Sequence, residues 1–219
     1  MKKTVFIDGK EFSYEQEMIT YSNSSAISEE DGKLILQTTK RLFDKIGIKF
    51  YLAYGTLLGA IRDHNIIKGD EDVDVFITEE EKLFSHLPFL YANGLKVVRI
   101  QRGGMYSFRI NERCYIDVYV LRPFRYSIWA LYCYSLHLKA TPKKYFKGYE
   151  SIVFLGEECL CPARPEKLLE FWYGRNWSVP ERGHKYFYEV PSHYYWIHYV
   201  RYPLRNLIKS MLGLNKSNR

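Results

Sequence analysis

The stretch YGTLLGAIR at residues 54–62, followed by KGDEDVD at residues 68–74, decides the fold. Its first part predicts a strand that ends at Gly55 and passes directly into a short helix. Such a turn leaves free backbone N–H groups and the Thr56 hydroxyl at the helix N-terminus, where phosphate is the usual anion to bind. Gly55 would allow the backbone to approach that anion closely, and Gly59 would allow the helix to pack close to the sheet. We therefore predict that Gly55 and Thr56 bind a phosphate group.

The second part of the stretch supplies acidic side chains at the start of another predicted strand. Residues i and i+2 of a strand point to the same face, so the carboxylates of Asp72 and Asp74 converge. Like charges repel unless a cation lies between them, and ligand sets made only of oxygen favour Mg²⁺ or Mn²⁺ over zinc. Asp117, inside the otherwise apolar run YIDVY, offers a third carboxylate that is costly to bury without a partner or a metal. We predict these three acids as the metal ligands and catalytic residues of a metal-assisted phosphoryl or nucleotidyl transfer.

Each of these features, taken alone, has an ordinary structural interpretation. An Asp-x-Asp motif is commonly a surface feature, and a Gly-Thr pair before a helix is usually a turn and a cap. Asp117 could form an ion pair with Arg109 or Arg113. Arg62 and Lys68 are candidate ligands of donor phosphates, with a solvated surface position as the alternative for each. The three features in this order are much more specific than any one of them.

The composition limits the class of protein. The chain has 219 residues, of which 47% are hydrophobic and 26% charged, a balance that excludes a disordered or collagen-like chain. Its four cysteines are too few and too irregularly spaced for a disulfide framework. The longest apolar run falls well short of the roughly 20 residues of a membrane-spanning helix, and the first residues do not resemble a signal peptide. We expect a cytoplasmic protein of one main domain.

The positive charge is concentrated in two segments that are also rich in Tyr and Trp. Residues 120–150 and residues 184–219 each carry six Lys or Arg residues against one Glu, within a formal net charge of +7. One interpretation is a helical subdomain with an aromatic core and a solvated basic face. A second is contact with an anionic membrane surface or a lipid-linked substrate. We do not expect nucleic acid as a partner, because the chain contains no RRM, KH or zinc-finger motif.

Hydrophobic periodicity predicts an α+β protein with a mixed sheet flanked by helices. From residue 28 onward the predicted helices and strands follow one another in a mixed order around one sheet. We predict a catalytic domain over residues 1–180, with a helical, aromatic-rich insertion at residues 122–150 and a basic aromatic C-terminal extension at residues 181–219. The predicted helices span residues 28–46, 56–62, 79–91 and 165–173, and the predicted strands span residues 49–54, 72–77, 95–101, 105–111 and 114–121.

At these residues the sequence resembles the LicD family, which includes the fukutin-related proteins, within the nucleotidyltransferase superfamily. The first family motif is approximately GTLLGxxR followed by a DxDxD cluster, and here it reads GTLLGAIR at residues 55–62 and DEDVD at residues 70–74. The third family acid looks like Asp117. A second motif, a Pro-rich entry to a helix ending in YGxxWxxP, reads PARPEKLLEFWYGRNWSVP at residues 162–180. The resemblance covers roughly residues 28–180.

The resemblance implies a nucleotidyltransferase-like fold and transfer of a phospho-alcohol, such as phosphocholine or ribitol phosphate, from a CDP-activated donor to a sugar hydroxyl of a surface glycan. Asp72 and Asp74 would hold Mg²⁺ or Mn²⁺ at the donor pyrophosphate. Asp117 would complete the metal site or accept the proton of the acceptor hydroxyl. Acceptors of this kind are often lipid-linked, which would bring the protein to the inner face of the membrane. Two other hypotheses stay open at this point: transfer of a nucleoside monophosphate to a small molecule, protein or RNA, and a non-catalytic binding module.

Overall fold

The computed structural model describes residues 1–19, 26–101, 103–123, 133–136 and 139–180. Within these residues the chain forms a two-stranded hairpin and a nine-stranded sheet with helices around it. The strands are β1 Lys2–Ile7, β2 Lys10–Glu15, β3 Tyr51–Leu52, β4 Val73–Ile77, β5 Lys96–Gln101, β6 Met105–Arg109, β7 Tyr115–Pro123, β8 Cys133–Leu136, β9 Lys139–Pro142, β10 Tyr149–Phe154 and β11 Glu157–Pro162. The helices are α1 Glu29–Lys45, α2 Tyr54–Arg62, α3 Glu80–Ser85, α4 Leu87–Ala92 and α5 Pro165–Tyr173.

The large sheet is mixed, and its central strands carry the predicted acids. Its order is β10-β11-β3-β4-β7-β6-β5, and β8 and β9 continue from β7. The pairs β11–β3 and β4–β7 are parallel, and the remaining pairs are antiparallel. All five residues of β4 are buried, as expected for a central strand covered on both faces. The predicted α+β class with a mixed sheet and flanking helices is confirmed.

The residues at the start of helix α1 explain why the helix begins there. The Ser28 hydroxyl accepts a hydrogen bond from the backbone N–H of Asp31 at 3.0 Å, which satisfies one of the free donors of the first turn. Three acidic residues in that turn interact favourably with the positive end of the helix dipole. The helix packs against β4 and β7 through an apolar face that includes Ile35, Leu42 and Phe43. It therefore covers one side of the strands that carry the acids.

The predicted strand at residues 49–54 is shorter than expected, and α2 begins earlier. Only Tyr51 and Leu52 pair with neighbouring strands, and Tyr54 is already the first helical residue. Tyr54 has a φ of 38°, a left-handed conformation that a non-glycine residue rarely adopts. The chain therefore turns from strand to helix at Tyr54 rather than at the glycine that follows it.

The predicted helical insertion at residues 122–150 is wrong for the part of it that the structure describes. Strand β7 runs on to Pro123, and β8 and β9 form an antiparallel pair beside it before a single 3₁₀ turn at Lys143–Phe146. Strand β10 then begins at Tyr149. The reason is that aromatic residues, which we counted as a helical core, pack equally well on a pleated surface next to an existing strand. Residues 124–132 and 137–138 of this segment lie outside the described residues.

The N-terminal hairpin was not predicted, although its turn carries a recognisable signal. Asp8 and Gly9 join β1 to β2, and both have positive φ values, 49° and 76°. An Asp-Gly pair with this conformation is typical of a two-residue hairpin turn, because its twist matches that of the flanking strands.

The chain separates into two compact units, Met1–Glu170 and Phe171–Arg219. Of the second unit, the structure describes residues 171–180, which contain the end of α5. The predicted basic extension at residues 181–219 lies outside the described residues, and its separation from the catalytic domain stays a prediction. None of the helices in the described ranges is long and apolar enough to cross a membrane.

Candidate active site

The structure brings the three predicted acids together on two adjacent strands. β4 and β7 are parallel and in register, so that Asp74 lies directly opposite Asp117. Asp72 immediately precedes β4 and projects on the same side as Asp74. One carboxylate oxygen from each of the three residues lies within 4.8 Å of the other two. The result is a compact cluster of three carboxylates in the middle of the sheet.

Burial makes this cluster electrostatically unfavourable when it is fully charged. Asp74 and Asp117 are 8% and 1% exposed, whereas Asp72 keeps part of its surface accessible. Burial, followed by the charges of Asp74 and Asp117, raises the pKa of Asp72 well above its ordinary value. Burial, followed by the charges of Asp70 and Asp117, does the same to the pKa of Asp74. The charged forms of these acids are therefore disfavoured unless a positive ion stabilises them.

The cluster fits a divalent cation with a preference for oxygen. Oxygen ligands of one Mg²⁺ lie at most about 4.2 Å apart, twice the usual metal–oxygen distance. The three carboxylate oxygens lie within 4.8 Å of one another, close to that value. All three ligands are carboxylates, which suit Mg²⁺ or Mn²⁺ rather than zinc. The residues present therefore match the predicted ion.

A buried arginine holds Asp117. The Arg99 Nη2 atom donates to Asp117 Oδ2 at 2.9 Å and to Oδ1 at 3.3 Å, and Arg99 Nε donates to Ser107 Oγ at 2.8 Å. Arg99 is 8% exposed and Ser107 is fully buried. A guanidinium group in this setting compensates one of the three negative charges of the cluster.

The ion pair that the sequence offered as an alternative for Asp117 involves a different arginine from the two considered, Arg109 and Arg113. Arg109 forms an ion pair with Glu17 at 2.6 Å, and Asp117 pairs with an arginine on β5, two strands away. A β-bulge explains why strand alternation did not reveal this contact. Val97 pairs with Phe108 but Arg99 pairs with Ser107, so one extra residue on β5 brings Arg99 into the same row as Ser107 and Asp117. The available signal was a charged residue inside an apolar strand, the same signal that identified Asp117.

The N-terminus of α2 binds Asp74. The backbone N–H of Gly55 donates to Asp74 Oδ2 at 3.2 Å, and the Thr56 hydroxyl oxygen accepts a hydrogen bond from the Asp74 backbone N–H at 2.7 Å. A methyl group on Gly55 would lie 2.7 Å from Asp70 Oδ2, so the absence of a side chain allows the carboxylates to approach. These contacts fix Asp74 between α2 and β4. The binding of donor phosphate by Gly55 and Thr56 stays a prediction.

Gly59 was predicted to let α2 pack close to the sheet, but the structure shows a different close contact at this residue. A methyl group on Gly59 would lie 2.4 Å from the backbone oxygen of Asn65, and the nearest other atoms belong to Ile67. Gly59 therefore lets the loop after α2 fold back against the helix. It does not serve to bring the helix close to the sheet.

The two predicted phosphate-binding cations, Arg62 and Lys68, lie at the end of α2 and in the loop that follows it. Arg62 is the last residue of the helix, about 10 Å along the axis from Gly55 at 1.5 Å per residue. Its guanidinium group donates two hydrogen bonds to Asp63, at 2.8 and 2.7 Å. Lys68 is exposed in the turn before Asp70. Contact of either side chain with a donor phosphate stays a prediction.

Tyr119 is a second residue of the site that we did not predict. It lies opposite Phe76 in the parallel pair and its hydroxyl forms a hydrogen bond with Asp74. Burial, together with the charge of Asp74, raises the pKa of Tyr119 well above its usual range, so its hydroxyl stays protonated as a donor. Its ring meets the ring of Tyr54 edge-on, with 4.9 Å between the ring centroids. The signal in the sequence was its position two residues after Asp117, on the same face of the strand.

Carboxylates on adjacent central strands of a mixed sheet, beside the start of a helix, form a candidate site for a divalent cation. The family model described as "LicD/FKTN/FKRP, nucleotidyltransferase domain" matches residues 47–164, more than half of the chain. The chain therefore belongs to the LicD/FKTN/FKRP family, as the resemblance in sequence predicted.

Two curated relatives are similar over part of the chain. An uncharacterized protein of Rickettsia typhi is 33% identical over 88 residues, which are 39% of this chain and 27% of that protein. An uncharacterized protein of Rickettsia prowazekii is 39% identical over 49 residues, 22% of this chain and 18% of that protein. The chain thus matches about a quarter or less of the length of these curated relatives.

Two solved structures are distantly similar. The lincosamide antibiotic adenylyltransferase LnuA, with lincomycin bound, has a TM-score of 0.44 and 11% identity, covering 66% of this chain and 85% of that chain. The antibiotic-resistance factor ANT(2'')-Ia has a TM-score of 0.49 and 10% identity, covering 86% of this chain and all of that chain.

Proposed function

We propose that the protein is a metal-dependent phosphotransferase. It would move a phospho-alcohol, such as phosphocholine or a polyol phosphate, from a CDP-activated donor to a sugar hydroxyl of a cell-surface glycan. The observation that carries the proposal is the convergence of Asp72, Asp74 and Asp117 within 4.8 Å in a chain of the LicD/FKTN/FKRP family. A buried cluster of like charges is expensive to maintain, and a binding module without chemistry has no need of it.

The three acids have different environments, which suggest different roles. Mg²⁺ or Mn²⁺, when bound, would supply charge stabilisation at the donor pyrophosphate. Asp74 is held by the Gly55 N–H and the Tyr119 hydroxyl, and Asp117 is held by Arg99. Both are therefore fixed as ligands with little freedom to move.

Asp72 is the acid best placed to take a proton. Its residue surface is the least buried of the three, and it precedes β4, whereas Asp74 and Asp117 lie within buried strands and are held by α2 and by Arg99. The acceptor hydroxyl oxygen forms a new bond to the phosphorus that bears the alcohol, while the bond from that phosphorus to the bridging oxygen breaks. CMP leaves with the bridging oxygen, and the hydroxyl proton passes to one Asp72 oxygen while the other remains available as a ligand.

We further propose that the reaction takes place on the cytoplasmic side of the membrane, with peripheral contact to its inner face. The supporting observation is the repeated combination of Lys, Arg, Tyr and Trp in residues 120–150 and 184–219. Aromatic rings at headgroup level and cations at lipid phosphate would bring the enzyme to a lipid-linked acceptor.

The second candidate function is nucleotidyl transfer, in which the nucleoside monophosphate itself moves to a small molecule, protein or RNA. It is supported by the description of the matched family model as a nucleotidyltransferase domain. It uses the same three acids, because attack on either phosphorus needs the same metal. The two functions differ in their products: the first releases CMP, and the second leaves the nucleotide on the acceptor.

A thermal-shift panel with CDP-choline, CDP-ribitol, CDP-glycerol, CMP, ATP and UTP, each with and without Mg²⁺, tests the proposal. A ligand at about 100 times its dissociation constant stabilises by about 2.7 kcal/mol, which is easily detected. We expect a Mg²⁺-dependent shift with one CDP-alcohol, its loss in Asp72→Asn and Asp74→Asn, and its retention in the matched control Asp44→Asn, an exposed acid on α1. Stabilisation by ATP or UTP alone would replace the proposal with nucleotidyl transfer. A response that survives in both site variants would contradict the role of the cluster.

A further inference from the structure

Four polar side chains form one row across four strands of the sheet. Arg99 on β5 pairs with Ser107 on β6, Ser107 pairs with Asp117 on β7, and Asp117 pairs with Asp74 on β4. None of the four is more than 8% exposed. The bulge that places Arg99 in this row is a local irregularity of β5, and a regular strand would have placed Val98 opposite Ser107.

Arg99 compensates the negative charge of carboxylates that are buried away from solvent. Its guanidinium group contacts both oxygens of Asp117, and its charge also lowers the pKa of Asp72 against the opposing effect of burial. Ser107 orients the guanidinium through Nε, so the position of the charge is fixed rather than averaged. A divalent cation among the same carboxylates would lie close to this guanidinium, and like charges repel strongly at short distance in a buried site.

We propose that Arg99 is the internal counter-ion of the carboxylate cluster. It holds Asp117 in place through its two hydrogen bonds when no divalent cation is bound, and it weakens the binding of that cation by its own positive charge. Arg99 is therefore a positioning residue that acts through Asp117. The proposal rests on the metal-dependent function proposed above, because it assumes that the cluster binds a divalent cation.

The test measures binding of Mn²⁺ alone to the metal-stripped full chain, with no donor or acceptor present. Electron paramagnetic resonance of free Mn²⁺ gives the dissociation constant, and circular dichroism in EDTA gives the melting temperature. The variants are Arg99→Met, which keeps much of the length but loses the charge, and Arg99→Lys, which keeps the charge. The matched control is Arg109→Met, which removes a half-buried arginine from the neighbouring strand whose partner is Glu17.

Removal of the charge should tighten Mn²⁺ binding at least about tenfold, since repulsion between close charges in a buried site is strong. The same Arg99→Met variant should melt at a lower temperature than the wild type in EDTA and recover more of its stability on addition of Mn²⁺. Arg99→Lys should bind Mn²⁺ within about threefold of the wild type, because it retains the charge. Arg109→Met should leave the Mn²⁺ dissociation constant unchanged.

Unchanged or weaker Mn²⁺ binding in Arg99→Met would overturn the proposal and leave the proposed function standing. Absence of Mn²⁺ binding in both the wild type and Arg99→Met would overturn both. If Arg99→Met does not fold in EDTA, folding on addition of Mn²⁺ supports the proposal. If it does not fold with Mn²⁺ either, the double variant Arg99→Met with Asp117→Asn should fold, because both charges are gone. Failure of that double variant would show that the guanidinium is needed for packing and would overturn the proposal.

Discussion

Thr56→Val removes the contact that joins α2 to β4. The Thr56 hydroxyl oxygen accepts a 2.7 Å hydrogen bond from the Asp74 backbone N–H, and Thr56 is 4% exposed. Valine has nearly the same shape, so the substitution removes the acceptor with little change in volume. The Asp74 N–H would then be buried without a partner, which costs about 1–3 kcal/mol.

Burial of the new methyl group partly offsets this loss of stability. Replacement of the hydroxyl by a methyl group in a buried position gains up to about 0.8 kcal/mol of burial. The net loss in the free energy of unfolding therefore lies between about 0.2 and 3 kcal/mol, and for a domain of this size each 1 kcal/mol lowers the melting temperature by roughly 2–4 °C. Thr56→Ser is the matched control, because serine keeps the acceptor and loses only the methyl group.

The assay is urea unfolding of both variants in EDTA, followed by the KM for the CDP-alcohol identified in the panel. We expect Thr56→Val to be less stable than Thr56→Ser, because the hydroxyl holds Asp74. If Thr56→Val is as stable as the wild type, the hydroxyl does not support Asp74 and the reasoning is refuted. A raised KM with unchanged stability would instead favour the direct contact with donor phosphate that the sequence predicts.

Three further predictions follow from single features of the chain. Gly59→Ala should lower the free energy of unfolding by more than about 1 kcal/mol in urea titrations, because its methyl group would lie 2.4 Å from the backbone oxygen of Asn65. Gly32→Ala is the control and should cost less, because its closest contact is a side chain that can move. Equal losses of stability in the two variants would contradict this prediction. Asp31→Asn should cost about 0.5 kcal/mol at pH 7. The Cys114 thiol and the Ser28 hydroxyl donate hydrogen bonds to the Asp31 carboxylate and lower its pKa. The stabilisation is therefore complete above the ordinary carboxyl pKa and is lost as the pH falls through the lowered pKa of Asp31. A difference in stability between Asp31→Asn and the wild type that persists in acid would refute this prediction. Deletion of residues 184–219 should weaken co-sedimentation with anionic vesicles, and unchanged co-sedimentation would reject the membrane contact.

The acids were predictable from the sequence because each stands out locally. Asp72 and Asp74 alternate with valines at the start of a strand, and Asp117 interrupts an apolar run. Strand alternation places such residues on one face without any knowledge of the tertiary structure. The family motif then supplies the expectation that Asp117 is the third acid of the same site.

The remainder of the site depends on contacts between distant segments, which no local sequence pattern predicts. Arg99 reaches Asp117 only because a bulge shifts the register of β5 by one residue, and the sequence does not mark the bulge. The strands β8 and β9 form beside the end of β7. Their aromatic residues can be assigned to strands rather than to a helix only when the position of β7 is known. Where intrinsic preference is weak, tertiary contacts decide between helix and strand.

The start of α2 illustrates how a correct chemical prediction can have more than one structural solution. The sequence predicts an anion at Gly55, and in the structure the anion on the Gly55 N–H is the Asp74 carboxylate of the same chain. A helix N-terminus favours negative charge whatever its source. Asp74 therefore recovers from α2 only part of the stabilisation that its burial among other acids takes away. A donor phosphate at the same place would have to share that end of the helix with it. For this reason we expect the substitutions at Thr56 to affect the stability of the protein first and the binding of donor second.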